Sequence, residues 1–209
     1  SMKNLLPILA LLLLVGCFSS LSFSSEGLKD SNTQDRMNKV SDEEIRYLFN
    51  KIKNRTLNKG SVQNFPSRKG QKFLKRIQPL LAHIANTDYL SSSDEEIIMI
   101  EKEMNDFISK STNQTDNAKV LYYQAHMFFT LQEYEKAIWA NEEIKEKAVT
   151  RFEILNALYS LSQLYFFEGN FLRAKQNILL WLKLSDHWGV ETGEEGRILF
   201  SEIEGALSN

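Results

Sequence analysis

Apolar residues recur along this chain at helical spacing, in blocks separated by polar punctuation. Ser41-Asp42-Glu43-Glu44 matches a capping box, with Ser41 as N-cap and Glu44 reaching back to it. Ile45, Leu48, Phe49 and Ile52 follow at helical spacing and predict a helix over about 41–57, ended by Asn58-Lys59-Gly60. A second helix is expected from Ser67 to Thr87, with Phe73, Ile77, Leu80, Leu81 and Ile84 on one side. Pro79 lies inside it, and the lost hydrogen bond and ring clash predict a kink or a break there. Asp94-Glu95-Glu96 is an acidic start that suits the helix macrodipole, and Ile97, Ile98, Ile100, Met104, Phe107 and Ile108 form the buried side that follows.

Two helix pairs come next. The first runs over 117–130 and 133–147 with a bend at Leu131-Gln132; the second runs over 150–168 and 171–185 with a bend at Gly169-Asn170. Gly169 stands where a left-handed helix cap is expected. A last helix covers about 191–207, and no strand pattern competes with the helices. The predicted fold is all-α, built of antiparallel helix hairpins. Only three prolines and nine glycines in 209 residues argue the same way, because an all-β fold needs more turns.

The hairpins repeat each other. Leu121, Ala125, Phe128, Tyr134 and Ala137 recur as Leu158, Ser162, Tyr165, Phe171 and Ala174, each 37 residues on. Small residues at Ala125, Ser162, Ala137 and Ala174 allow close helix approach, while the aromatic residues fill the space at the turn. This large-small-aromatic-aromatic-small order, with Glu133-Tyr134-Glu135-Lys136-Ala137-Ile138 and Asn170-Phe171-Leu172-Arg173-Ala174-Lys175, resembles the tetratricopeptide repeat over 115–185. The resemblance implies a short α-solenoid with degenerate terminal repeats over 67–207. The usual repeat has about 34 residues, which implies about three extra ones near Glu146 to Thr150. Over about 68–207, Ala157 to Phe166 (ALYSLSQLYF) and Asn177 to Leu182 (NILLWL) are similar to bacterial periplasmic tetratricopeptide proteins associated with TonB energy-transducing systems.

The N-terminus speaks to location. Ser1 reads as a cloning remnant ahead of the initiator, and Met2-Lys3-Asn4 precedes an apolar run from Leu5 to Val15. As a helix that run spans about 16 Å, half a bilayer core, so residues 1–16 read as a signal peptide of an exported protein. Leu14-Val15-Gly16-Cys17 resembles the bacterial lipobox, in which cleavage exposes a cysteine that then carries diacylglycerol. Cys17 is the sole cysteine, so no disulfide can form within the chain. The resemblance implies lipidation at Cys17 and a lipoprotein facing the periplasm from the outer membrane. The alternative is ordinary cleavage near Ser22-Phe23-Ser24 and a soluble periplasmic protein. Residues 17–40 read as the lipidated cysteine and a flexible polar tether, and 41–66 as an additional helix and loop.

Charge and chemistry narrow the function. A net charge of −2 and a pI near 6 leave no electrostatic footprint for nucleic acid. His83, His126 and His187 lie on three elements without ligand spacing, so no metal or other cofactor is expected. Glu101, Glu103, Asp106, Glu142 and Glu143 read as a solvated face, and no phosphate loop or nucleophile motif occurs. The reading is therefore non-enzymatic. Arg68, Lys69, Lys72, Lys75 and Arg76 form a basic cluster in which Lys69, Lys72 and Arg76 share a face suited to anionic headgroups or an acidic partner. By the tetratricopeptide resemblance, a concave groove is lined by the first helix of each pair. Tyr122, Gln124 and Met127 are expected there, with Asn156, Tyr159 and Gln163 in the next unit. Trp181, Trp188 and Phe200 are expected to cap the core. The function expected is a membrane-tethered adaptor that holds a peptide or helix of a protein partner, with a TonB-type complex as one partner. The alternative is an assembly factor or pilotin-like chaperone for outer-membrane or secretion machinery.

Overall fold

The computed structural model describes residues 42–54, 67–86 and 94–208. The expected signal peptide, Cys17, the expected tether and the expected N-cap Ser41 lie outside the described residues. Eight helices are described: α1 (Asp42–Lys53), α2 (Arg68–Ala85), α3 (Glu95–Lys110), α4 (Gln114–Thr130), α5 (Tyr134–Lys147), α6 (Arg151–Phe167), α7 (Phe171–Trp188) and α8 (Glu194–Leu207). No strand occurs among the described residues, and the fold is all-α. No helix among them is long and apolar enough to cross a membrane.

Local chemistry sets the helix ends. Side chains of Ser67, Asn113, Thr150 and Asn170 accept from the backbone N–H three residues on, capping α2, α4, α6 and α7. α2 runs unbroken through Pro79, so the expected break does not occur. Pro79 and Lys75, whose carbonyl loses its helical partner, are both exposed, which lowers the cost of the missing bond. In α3, Ile97, Ile100, Met104 and Phe107 are buried as expected, but Ile98 is 51% exposed. Its position, one residue past Ile97, turns it 100° away from the buried stripe. The last helix begins at Glu194, three residues later than the charge pattern predicts.

Packing follows chain order. α4 and α5 pair across a tight turn, as do α6 and α7; α5 packs on α6, α8 on α7, and both α2 and α3 on α4. Three apolar clusters fill these seams. One joins α2, α3, α4 and α5 around Ile77, Ile97, Met104 and Phe128; the next centres on Leu121, Ile144, Leu158, Leu180 and Leu184. The third, around Leu161, Ile178 and Ile203, seats α8. Trp181 and Trp188 pack against the second cluster and Phe200 against the third, as core-capping residues do. α1 lies on α7: Ile52 joins the second cluster, Phe49 meets the His187 ring edge-on at 5.5 Å, and Lys51 pairs with Glu146 of α5 at 3.0 Å.

The 37-residue period is written in the backbone hydrogen bonds as well as in the side chains. Ser111 N donates to Phe107 O at 2.9 Å, and Ala148 N to Ile144 O at 2.8 Å. The caps Asn113 and Thr150 stand at the same interval. At the hairpin turns, Glu133 N donates to Phe128 O and Gln132 N to Phe129 O; their counterparts are Asn170 N to Tyr165 O and Gly169 N to Phe166 O. Both turns are Schellman caps, with matching distances of 2.8 and 3.0 Å. The period therefore reaches back into α3, further than the side-chain pattern alone reveals. The repeated small positions Ala137 and Ala174 are fully buried, and Ser162 Oγ donates to the Ala174 carbonyl at 2.8 Å across its hairpin.

One turn follows the rule and the other strains against it. Gly169 has φ of 73°, while its counterpart Gln132 holds φ of 60° with a side chain. That conformation disfavours any residue with a Cβ. Gln132→Gly is expected to stabilise the fold by about 0.5–1 kcal/mol, and Gly169→Ala to cost about 1 kcal/mol. Urea midpoints of the two variants measure both; a Gln132→Gly midpoint at or below the parent's contradicts the strain.

Candidate functional site

The six residues expected to line a groove fall into two groups. Tyr122 on α4 and Asn156, Tyr159 and Gln163 on α6 are partly exposed. Gln124 and Met127 are not surface residues: they are 0% and 3% exposed, and Met127 belongs to the α2–α5 cluster. The cause is helical phase. Their counterparts one period on are Leu161 and Leu164, both core residues, whereas Asn156 and Gln163 map back onto Lys119 and His126. Lys119 and His126 are partly exposed. The corrected stripes are Lys119, Tyr122 and His126 on α4, and Asn156, Tyr159 and Gln163 on α6. Applying the 37-residue interval to the second stripe is the signal that finds the first.

Each stripe is an aromatic residue between polar ones, three and four residues apart and so on one helix face. Tyr122 meets the His126 ring at 5.8 Å, and Tyr159 meets the Trp181 ring at 5.2 Å. Burial raises the Tyr122 hydroxyl above its ordinary pKa, with a smaller contribution from Tyr123. Burial also raises Tyr159, helped by the carboxylates of Glu195 and Glu202 on α8. His126 is held below its ordinary value by burial, which keeps its imidazole neutral near pH 7. The stripes thus offer neutral aromatic area with hydrogen-bonding tips.

The basic face on α2 is partly committed within the protein. Lys69, Lys72 and Arg76 are all exposed. Arg76 pairs with Glu103 of α3 at 2.9 Å and lies over the Phe73 ring, while the Lys69 ammonium stands 5.8 Å from the Phe107 ring. The other carboxylates expected on a solvated face are paired as well: Glu101 with Lys136, Asp106 with Lys110, Glu142 with Lys145 and Glu143 with Lys147. No group of three or more His, Cys, Asp or Glu that could hold a metal occurs among the described residues.

A cavity of about 360 Å³ opens at the seam of α3, α4 and α5, lined by Glu101, Asn105, Gln124, Phe128, Glu135, Lys136 and Trp139. Gln124 Nε2 donates to Asn105 Oδ1 at 2.8 Å, but Gln124 Oε1 has no hydrogen-bond partner. Lys136 lies over the Phe128 ring at 5.2 Å and pairs with Glu101 at 3.1 Å. Trp139 is 49% exposed. The sequence does carry a mark of this site: Gln124 is polar where the repeat places Leu161 in the core.

No protein-family model, curated protein or solved structure matches this chain.

Proposed function

We propose that the protein is a non-enzymatic adaptor of the bacterial cell envelope, built as a short tetratricopeptide-like solenoid and tethered by a lipid on Cys17. It holds an extended or helical segment of a protein partner against the faces of α4 and α6. The observation that carries this reading is the recurrence of a partly exposed tyrosine flanked by polar residues on the first helix of two consecutive hairpins. Such residues give contact area at low entropic cost together with hydrogen-bonding groups, the chemistry of peptide-binding surfaces. Repeated at a fixed period, they suit a segment that runs from one unit to the next. By the sequence resemblance, a TonB-type transport complex is the partner class to look for first.

The test is affinity purification of the full chain from solubilised envelopes, beside Tyr122→Ala, Tyr159→Ala and Lys119→Ala/Gln163→Ala. Each tyrosine is expected to carry about 2 kcal/mol, a roughly thirtyfold loss of affinity. The Lys119/Gln163 variant leaves the apolar clusters untouched and separates weakened binding from weakened folding. Capture that survives all three substitutions overturns the reading. In the same preparations Cys17→Ser is expected to release the protein from the membrane fraction, and mass analysis of the parent to find an acylated N-terminal cysteine.

A further inference from the structure

The two inter-repeat seams differ in how they are closed. At the α5/α6/α7 seam, Arg173 lies over the Tyr165 ring and donates to its hydroxyl at 3.0 Å; that hydroxyl donates to Glu142 Oε1 at 3.2 Å. A cation is held there on an aromatic ring whose hydroxyl links it to a carboxylate. One period earlier, at the α3/α4/α5 seam, the same positions hold Lys136, Phe128 and Asn105. Lys136 keeps its place over the ring, but Phe128 has no hydroxyl, Asn105 has no charge, and the ammonium pairs with Glu101 instead. What remains is the 360 Å³ cavity and, in its wall, a fully buried glutamine whose carbonyl oxygen is unsatisfied.

The wall specifies a donor. A buried acceptor without a partner is unfavourable, and a ligand N–H supplied to it regains that free energy on binding. Glu101 and Glu135 add two carboxylates against the single ammonium of Lys136, so the lining is net negative and disfavours an anion. Trp139 supplies the aromatic surface on which a cation is best held. The volume is at the small end for ligand sites, enough for one side chain or a small molecule. We propose that this cavity binds a guanidinium or primary ammonium group, with Gln124 Oε1 and the Glu135 carboxylate accepting its N–H bonds and Trp139 covering its face. None of the α4 and α6 stripe residues lines the cavity, so the proposal stands apart from the adaptor reading.

The probes are N-acetyl-arginine amide, N-acetyl-lysine amide, the uncharged N-acetyl-norleucine amide and a capped Ala-Arg-Ala peptide. They are titrated into the chain with ¹⁵N-labelled indoles. The Trp139 resonance is assigned by its loss in Trp139→Phe. Arginine and lysine amides are expected to shift that signal saturably and norleucine amide to leave it unmoved; Trp139→Ala should weaken arginine about tenfold, read by calorimetry. Tighter binding of the peptide than of the amino-acid amide identifies a polypeptide side chain as the source of the cation, and equal binding a free small molecule. Gln124→Leu installs the residue that the next repeat already carries. It is expected to raise the melting temperature while abolishing binding, which no folding defect can imitate. The proposal is overturned if neither cation moves Trp139, if norleucine amide binds as arginine does, or if Gln124→Leu binds arginine unchanged.

Discussion

Asp116→Ala is expected to lower the stability of the fold by about 3 kcal/mol, from the loss of two charge-assisted hydrogen bonds to a buried carboxylate. Asp116 is 1% exposed. Its two oxygens accept from Ser67 N and Ser67 Oγ, each at 2.6 Å. Ser67 in turn caps α2, accepting from Gly70 N at 3.1 Å. A single carboxylate in the first turn of α4 thus fixes the start of α2, a helix that lacks any acidic residue in its own first turn. Arg68 and Lys69 stand there instead, the unfavourable sign for a helix N-terminus, so Asp116 supplies from another helix the negative charge this end requires. Gly70 belongs to the same contact, because a methyl group at that position would overlap the Asp116 carboxylate. Gly70→Ala should therefore destabilise in the same direction, and the double variant should cost less than the sum of the singles, since both act on one contact. Urea denaturation of the three variants measures the cycle. An Asp116→Ala midpoint equal to the parent's would mean that the carboxylate does not hold α2.

Leu158→Ala is expected to cost a similar amount, about 3 kcal/mol, for a different reason. Leu158 is 0% exposed at the centre of the cluster shared by α4, α5, α6 and α7. Truncation removes apolar contacts and leaves a cavity, and the small members of the same cluster, Ala125, Ala140 and Ala157, have no side-chain length with which to fill it. Ile98→Ala is the matched control: with that side chain half in solvent, a change within about 0.5 kcal/mol is expected. If Ile98→Ala proves as costly as Leu158→Ala, α3 buries a different face from the one described.

These two positions mark the limits of what the sequence discloses. Leu158 is legible because the repeat names it twice, as itself and as Leu121, and a core position with a periodic counterpart carries its own check. Ile98 lacks such a check. A run of Ile97, Ile98 and Ile100 satisfies the helical period whichever neighbour is turned outward. Asp116 is not legible at all: its role is a contact with Ser67, 49 residues away, and only tertiary packing brings the two together. On α6 helical phase assigns Asn156, Tyr159 and Gln163 to partly exposed positions, while on α4 the positions Gln124 and Met127 fall in the core. The cavity is half legible: Gln124 stands out against Leu161, but the volume beside it depends on how α3, α4 and α5 pack, which the residue types alone do not give.

The placement of α1 has a consequence for how the molecule comes apart. In a linear array of helices each unit holds only its neighbours, and loss of an end unit leaves the others folded. Here an early helix crosses over to α7, and Lys51 reaches Glu146 across 95 residues of chain. Bringing these segments together carries a loop-closure cost that the contacts of α1 with α5 and α7 must offset. The helix thus acts as a clasp on α5 and α7. The described helices are expected to melt in a single urea transition that Ile52→Ala shifts as a whole; a separate early phase would show that α1 does not hold them.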